Sequence, residues 1–185
     1  MDKAIALQNL KDIGKVLGKR HWWLEAGSCL GAFREGDFIG HDKDTDIGLL
    51  KEDFDWALIA QLVQEYNFRI LHVFGAINHG LEISVARDGI KTDLFIFYKK
   101  GNKRWHAAWT RGCHDINKDI IKLVFDADLI ENLGTAKLGG VDFPVPAETE
   151  RYLVARYGED WRTPDEKWDW ATSPLCIDPD FDISI

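Results

Sequence analysis

Cysteine, basic excess and long apolar runs are all scarce in this chain, and each shortage argues against a class of protein. The three cysteines, Cys29, Cys113 and Cys176, are odd in number, widely spaced and free of any Cys-x-x-Cys pattern. Neither a disulfide scaffold nor a structural zinc site is indicated, and reduced thiols fit a cytoplasmic setting. No apolar stretch approaches the roughly 20 residues that a bilayer span needs. The opening Met1-Asp2-Lys3-Ala4-Ile5-Ala6-Leu7-Gln8 lacks the charged-then-apolar run of a secretory signal. A cytoplasmic protein with no membrane span is therefore expected. Lysine and arginine total 23 against 31 acids, a net charge of −8. That balance speaks against nucleic acid as a partner, because such binders cluster basic residues against phosphate. Repeats, low-complexity tracts and obvious linkers are also missing.

What is present suits one catalytic or binding domain over residues 1–185: 45% of the chain is hydrophobic, with eight Trp and ten Phe, enough for one core but short for two. Residues 2–18 space Ile5, Leu10, Ile13 and Leu17 as an amphipathic helix. Trp22-Trp23-Leu24-Glu25 reads as a short strand, residues 28–34 as a helical turn, and 52–65 as a helix with acids in its first turn. Strands are predicted at 68–74, 81–87 and 90–97, the last two joined by Asp88-Gly89, a hairpin signal. Residues 99–118 resist assignment. A small hairpin over 133–146 precedes a helix at 147–157 that stops at Gly158. Thr163-Pro164-Asp165-Glu166 has the form of a capped helix start, and the acidic 178–182 that of a loose tail. The order is that of an α/β (α+β) domain, a mixed sheet flanked by helices.

The chemistry concentrates in Phe38-Ile39-Gly40-His41-Asp42-Lys43-Asp44-Thr45-Asp46-Ile47-Gly48, an acidic cluster running into an apolar strand. Alternation along the strand projects Asp44 and Asp46 to one side, where they repel unless a cation lies between them. A hard cation prefers several oxygen ligands. Asp93 is the candidate third, a charged residue inside Ile90-Lys91-Thr92-Asp93-Leu94-Phe95 and costly there unless paired or metal-bound. Its plain reading is an edge aspartate answered by Lys91. Lys91 itself could touch phosphate or balance charge. A glycine turn at Gly27-Ser28, then Asp44-x-Asp46, then an aspartate on a later strand is the order seen in nucleotidyltransferase-like domains, where a helix start offers free amides to phosphate.

A longer match follows. Leu24 to Gly48, with Gly27-Ser28, Leu30-Gly31-Ala32-Phe33-Arg34, Asp37-Phe38-Ile39 and Asp42-Lys43-Asp44-Thr45-Asp46, resembles the signature of the LicD/fukutin family of phosphotransferases. Pro144-Val145-Pro146, Tyr152-Leu153, Tyr157-Gly158 and Asp160-Trp161-x-Thr163-Pro164 resemble that family's closing motif. The resemblance implies a nucleotidyltransferase-like fold and transfer of a phospho-alcohol, phosphocholine or an alditol phosphate, from a CDP-linked donor to a glycan or sugar hydroxyl. It implies Asp44 and Asp46 as catalytic residues and ligands of Mg²⁺, with Mn²⁺ possible, and the strand reading adds Asp93 as the third. Gly27, Ser28, Arg34 and Asp42 match the family's substrate-binding positions, and Lys91 joins that set from its place beside Asp93. Gly40-His41 stands where Pro-Trp is common, and Lys43 where an acid or imidazole is common.

Three rivals remain open at this point. They are a true nucleotidyltransferase releasing pyrophosphate, an inactive binding module that keeps the fold, and a tRNA-modifying relative disfavoured by the acidic balance. His41, His79 and His106 read as ordinary structure. Cys113-His114-Asp115 is discounted as a triad, since adjacent residues do not converge on one substrate.

Overall fold

The computed structural model describes residues 1–109, 120–165 and 167–183. The amphipathic N-terminal segment forms helix α1 (Lys3–Leu17), capped by Asp2, whose carboxylate accepts from the amides of Ala4 and Ile5. Strand β1 (Trp22–Leu24) leads directly into α2 (Ala26–Arg34), and the acidic segment becomes β2 (Asp44–Leu50). Helix α3 (Trp56–Tyr66) is followed by three strands: β3 (Arg69–Ala76), β4 (His79–Arg87) and β5 (Ile90–Lys100). The sheet runs β1-β2-β5-β4-β3, with β2 and β5 parallel and the other pairs antiparallel. It is the expected mixed sheet.

Strand β5 outlasts its partner β4, and its far end pairs with β6 (Lys103–Trp109), which pairs with β7 (Ile120–Asp126). Those two strands fall in and just beyond the stretch whose mixed polarity resisted assignment. The expected hairpin is β8 (Leu133–Leu138) and β9 (Val141–Pro146), and α4 (Thr149–Tyr157) ends at Gly158. Directly paired residues share a face. One face therefore carries Ile47, Leu49, Leu94, Ile96, Ile83 and Val85, all buried, with the Thr45 and Thr92 hydroxyls bonded at 2.8 Å. The other face carries Asp44, Asp46, Lys91, Asp93, Ser84 and Glu82.

Three expectations need correction. The helix foreseen over 52–65 starts only at Trp56, capped by Asp55. Glu52 is drawn to Arg104 at 2.8 Å and Asp53 to the His21 amide at 3.1 Å, and these tertiary bonds hold 51–53 in a separate turn. No helix starts at 163–165. Asp165 and Asp169 instead accept from the amides of Lys167 and Ala171, local bonds that compete with helix formation. Residue 166 lies outside the described residues, as does Cys113-His114-Asp115. The tail is not loose either: Val124 donates to the Cys176 carbonyl, Asp178 to that of Lys122, and the Lys122 ammonium to those of Pro179 and Phe181.

Candidate active site

The direct register of β2 and β5 places Asp44 opposite Lys91 and Asp46 opposite Asp93, so the acids reach one face by pairing alone. Helix α2 packs over β2 and brings Gly27 to them. A Cβ built on Gly27 would lie 2.9 Å from Asp42 Oδ2 and 3.5 Å from Asp46 Oδ2. Only a bare α-carbon leaves room for other atoms at that helix start. Ala26, in the left-handed region at φ 43°, makes the turn from β1 into the helix. Ser28 is buried and does not line the cavity. Its hydroxyl accepts from the Asp46 amide at 2.9 Å and so ties the acidic strand to the glycine turn.

The acids open into a cavity of about 1360 Å³, also lined by Gly27, Arg34, Asp42, Glu82, Arg156 and Tyr157. Single-ligand pockets hold roughly 300–1,000 Å³, so there is room for two reactants. Burial, then the charges of Asp44 and Asp93, push the Asp46 carboxyl well above its usual range, against the pull of Arg156 and Lys91. Burial likewise raises Asp42, opposed by His41, whose ring lies 3.7 Å away. Lys91 Nζ lies 2.9 Å from Asp44 Oδ2 and 2.5 Å from Asp93 Oδ2. Burial works against the charged amine, but the two carboxylates win and raise it. Asp93 Oδ1 accepts from the Ser84 hydroxyl at 2.6 Å. Arg34 reaches the cavity while its guanidinium pairs with Glu35 at 2.7 Å.

The donor chemistry fits a hard divalent cation: three carboxylates on one face, one of them buried among like charges, beside a cradle that a Cβ would fill. As they stand, no three His, Cys, Asp or Glu among the described residues are set to grip an ion directly. Lys91 occupies the space between Asp44 and Asp93.

Two functional-looking residues escaped sequence reasoning. Arg156 of α4 is 5% exposed and donates to Glu25 Oε1 at 2.5 Å. Glu25 is fully buried just before α2, and it also accepts from Tyr152 and, at 2.6 Å, from the Trp23 indole. Burial and then the Arg156 charge hold the His106 imidazole, behind it, well below its usual pKa. Glu82 is buried too, and burial followed by the Asp93 charge pushes its carboxyl up to about 8. Its signal was readable in Leu81-Glu82-Ile83-Ser84-Val85, where two polar side chains share the face of Asp93.

A family model described as LicD/FKTN/FKRP, nucleotidyltransferase domain, matches residues 19–148. The chain is 30% identical over 176 residues to ribitol-5-phosphate transferase FKTN of Mus musculus, covering 95% of this chain and 35% of that one. It is 30% identical over 159 residues to the Homo sapiens protein of the same name, covering 85% and 33%. The chain thus spans about a third of the length of these relatives. A solved structure, the lincomycin-bound lincosamide antibiotic adenylyltransferase LnuA, aligns with TM-score 0.47 and 12% identity over 80% of this chain and 83% of its own.

Proposed function

This chain belongs to the LicD/FKTN/FKRP nucleotidyltransferase-domain family, and from that premise we propose that it moves an alditol phosphate, of the ribitol phosphate kind, from a CDP-linked donor to a hydroxyl of a sugar or glycan. The observation that carries the reading is the register of Asp46 against Asp93, which sets three acids on one sheet face beside the bare α-carbon of Gly27. Asp44, Asp46 and Asp93 would hold Mg²⁺, or Mn²⁺ in its place, and such an ion supplies positive charge against the phosphate oxygens. The chain's own residues do the rest. The first amides of α2, from Gly27 on, donate to the phosphate chain, while Arg34 and Lys91 add cationic charge at the wall. Ser84 fixes the rotamer of Asp93 through its hydroxyl, which donates to Oδ1 at 2.6 Å. Phosphoryl transfer asks chiefly for this positioning and charge neutralisation.

The test is a donor panel of CDP-ribitol, CDP-glycerol, CDP-choline and nucleoside triphosphates, read by thermal shift with and without Mg²⁺ and by product analysis. A CDP-alditol at about 100 times its dissociation constant adds close to 2.7 kcal/mol, only with the metal, and turnover releases CMP. Asp46→Asn removes turnover. Stabilisation by triphosphates alone, with pyrophosphate as product, overturns the reading in favour of nucleotidyl transfer.

A further inference from the structure

Across the sheet face the order is glycine turn, β2 acids, Asp93, then Ser84 and Glu82 on β4. Glu82 thus lies on the far side of Asp93 from the turn that receives the phosphate chain. An in-line displacement brings the attacking hydroxyl from the side opposite the leaving group, so Glu82 stands on the side of the incoming molecule. Glu82 is 8% exposed and lines the cavity; its carboxyl takes a backbone hydrogen bond from Trp109, while Oε2 is buried with no hydrogen-bond partner among the described residues. Asp93, by contrast, has both oxygens engaged, one by Ser84 and one by Lys91. A buried carboxyl oxygen without a partner is destabilising unless a ligand completes it.

The walls around Glu82 are aromatic. Phe95 is its cross-strand neighbour, and Phe74 stacks on Trp109 with ring centroids 6.4 Å apart. The Trp109 ring is pinned by its indole, which donates to the Gly80 carbonyl at 2.8 Å. Rigid aromatic faces and one unpaired carboxyl oxygen suit a molecule with C–H faces and hydroxyl edges. We propose that Glu82 is the acceptor-recognition residue, exchanging a hydrogen bond through Oε2 with a hydroxyl of the incoming sugar or polyol while Trp109 and Phe95 pack its carbon face. This rests on the phosphotransferase reading above.

The experiment compares wild type with Glu82→Leu and Glu82→Gln, using CDP-ribitol as donor and a panel of p-nitrophenyl monosaccharides as acceptors. The leucine variant raises the acceptor KM at least tenfold. Its dissociation constant for CDP-ribitol stays within threefold of wild type, and its Tm is equal or higher, because the buried orphan oxygen is gone. The glutamine variant, which keeps a hydrogen-bonding edge, restores most of the acceptor KM. An unchanged acceptor KM in a folded leucine variant overturns the proposal, as does an equal loss of donor binding. A wild-type protein that transfers from no CDP donor is a different failure, of the reaction class itself, and this assignment falls with it.

Discussion

Glu25 is a single carboxylate answering a buried indole, a phenol and a guanidinium, and that load makes it the side chain most sensitive to small change. Glu25→Gln keeps the shape but strips the charge that neutralises Arg156, and breaking a buried ion pair typically costs about 3–5 kcal/mol. Urea denaturation should register a loss of that order, and Glu25→Gln combined with Arg156→Met should recover part of it, because no unpaired charge is then left inside. A single variant within about 0.5 kcal/mol of wild type would show the pair to be dispensable. At this scale the sequence was half informative. Asp44, Asp46 and Asp93 stood out because a charge inside an apolar strand is conspicuous. Arg156 did not, because a basic residue in the last turn of a polar helix is ordinary, and its burial against Glu25 is a non-local contact.

Among the elements, β1 and β2 pair over three positions and fit most tightly at one of them. A Cβ at Gly48 would overlap the Trp23 indole, which meets Phe97 edge-on with ring centroids 4.7 Å apart. Gly48→Ala should therefore cost about 1–3 kcal/mol or more by overpacking, seen as a lower Tm. Since the same indole orients Glu25, turnover should fall as well. An alanine variant of wild-type Tm would mean that the strand shifts freely. Strands β2, β4 and β5 were legible from alternation and from the Asp88-Gly89 turn, and α1 and α4 from periodicity and caps. What was illegible is non-local: 51–53 left the helix for partners at Arg104 and His21, and β6 and β7 took their form from the overhanging end of β5.

For the whole molecule, α1 is fastened to the β4–β5 hairpin through Asp12, which pairs with Arg87 at 2.8 Å and with Lys15 at 2.7 Å. Burial alone would raise the Asp12 carboxyl, but hydrogen bonds from Gln8, Lys15 and Arg87 outweigh it and hold it at about 2. A folded pKa below the unfolded one stabilises above the unfolded value, and the benefit drains away as pH falls toward the folded value. Asp12→Ala should thus lose about 2 kcal/mol near neutral pH. Its deficit relative to wild type, read by urea titrations at descending pH, should shrink from about pH 4 toward pH 2. A deficit that stays constant over that range would place the stabilisation elsewhere. The Glu25–Arg156 bond joins positions 131 residues apart, and this bears on the birth of the protein. A chain leaving the ribosome presents its amino end first, so Glu25 emerges long before the guanidinium that neutralises it. The nascent polypeptide therefore carries a half-built pocket until α4 arrives, and truncation anywhere before that helix yields a product with nothing to close it.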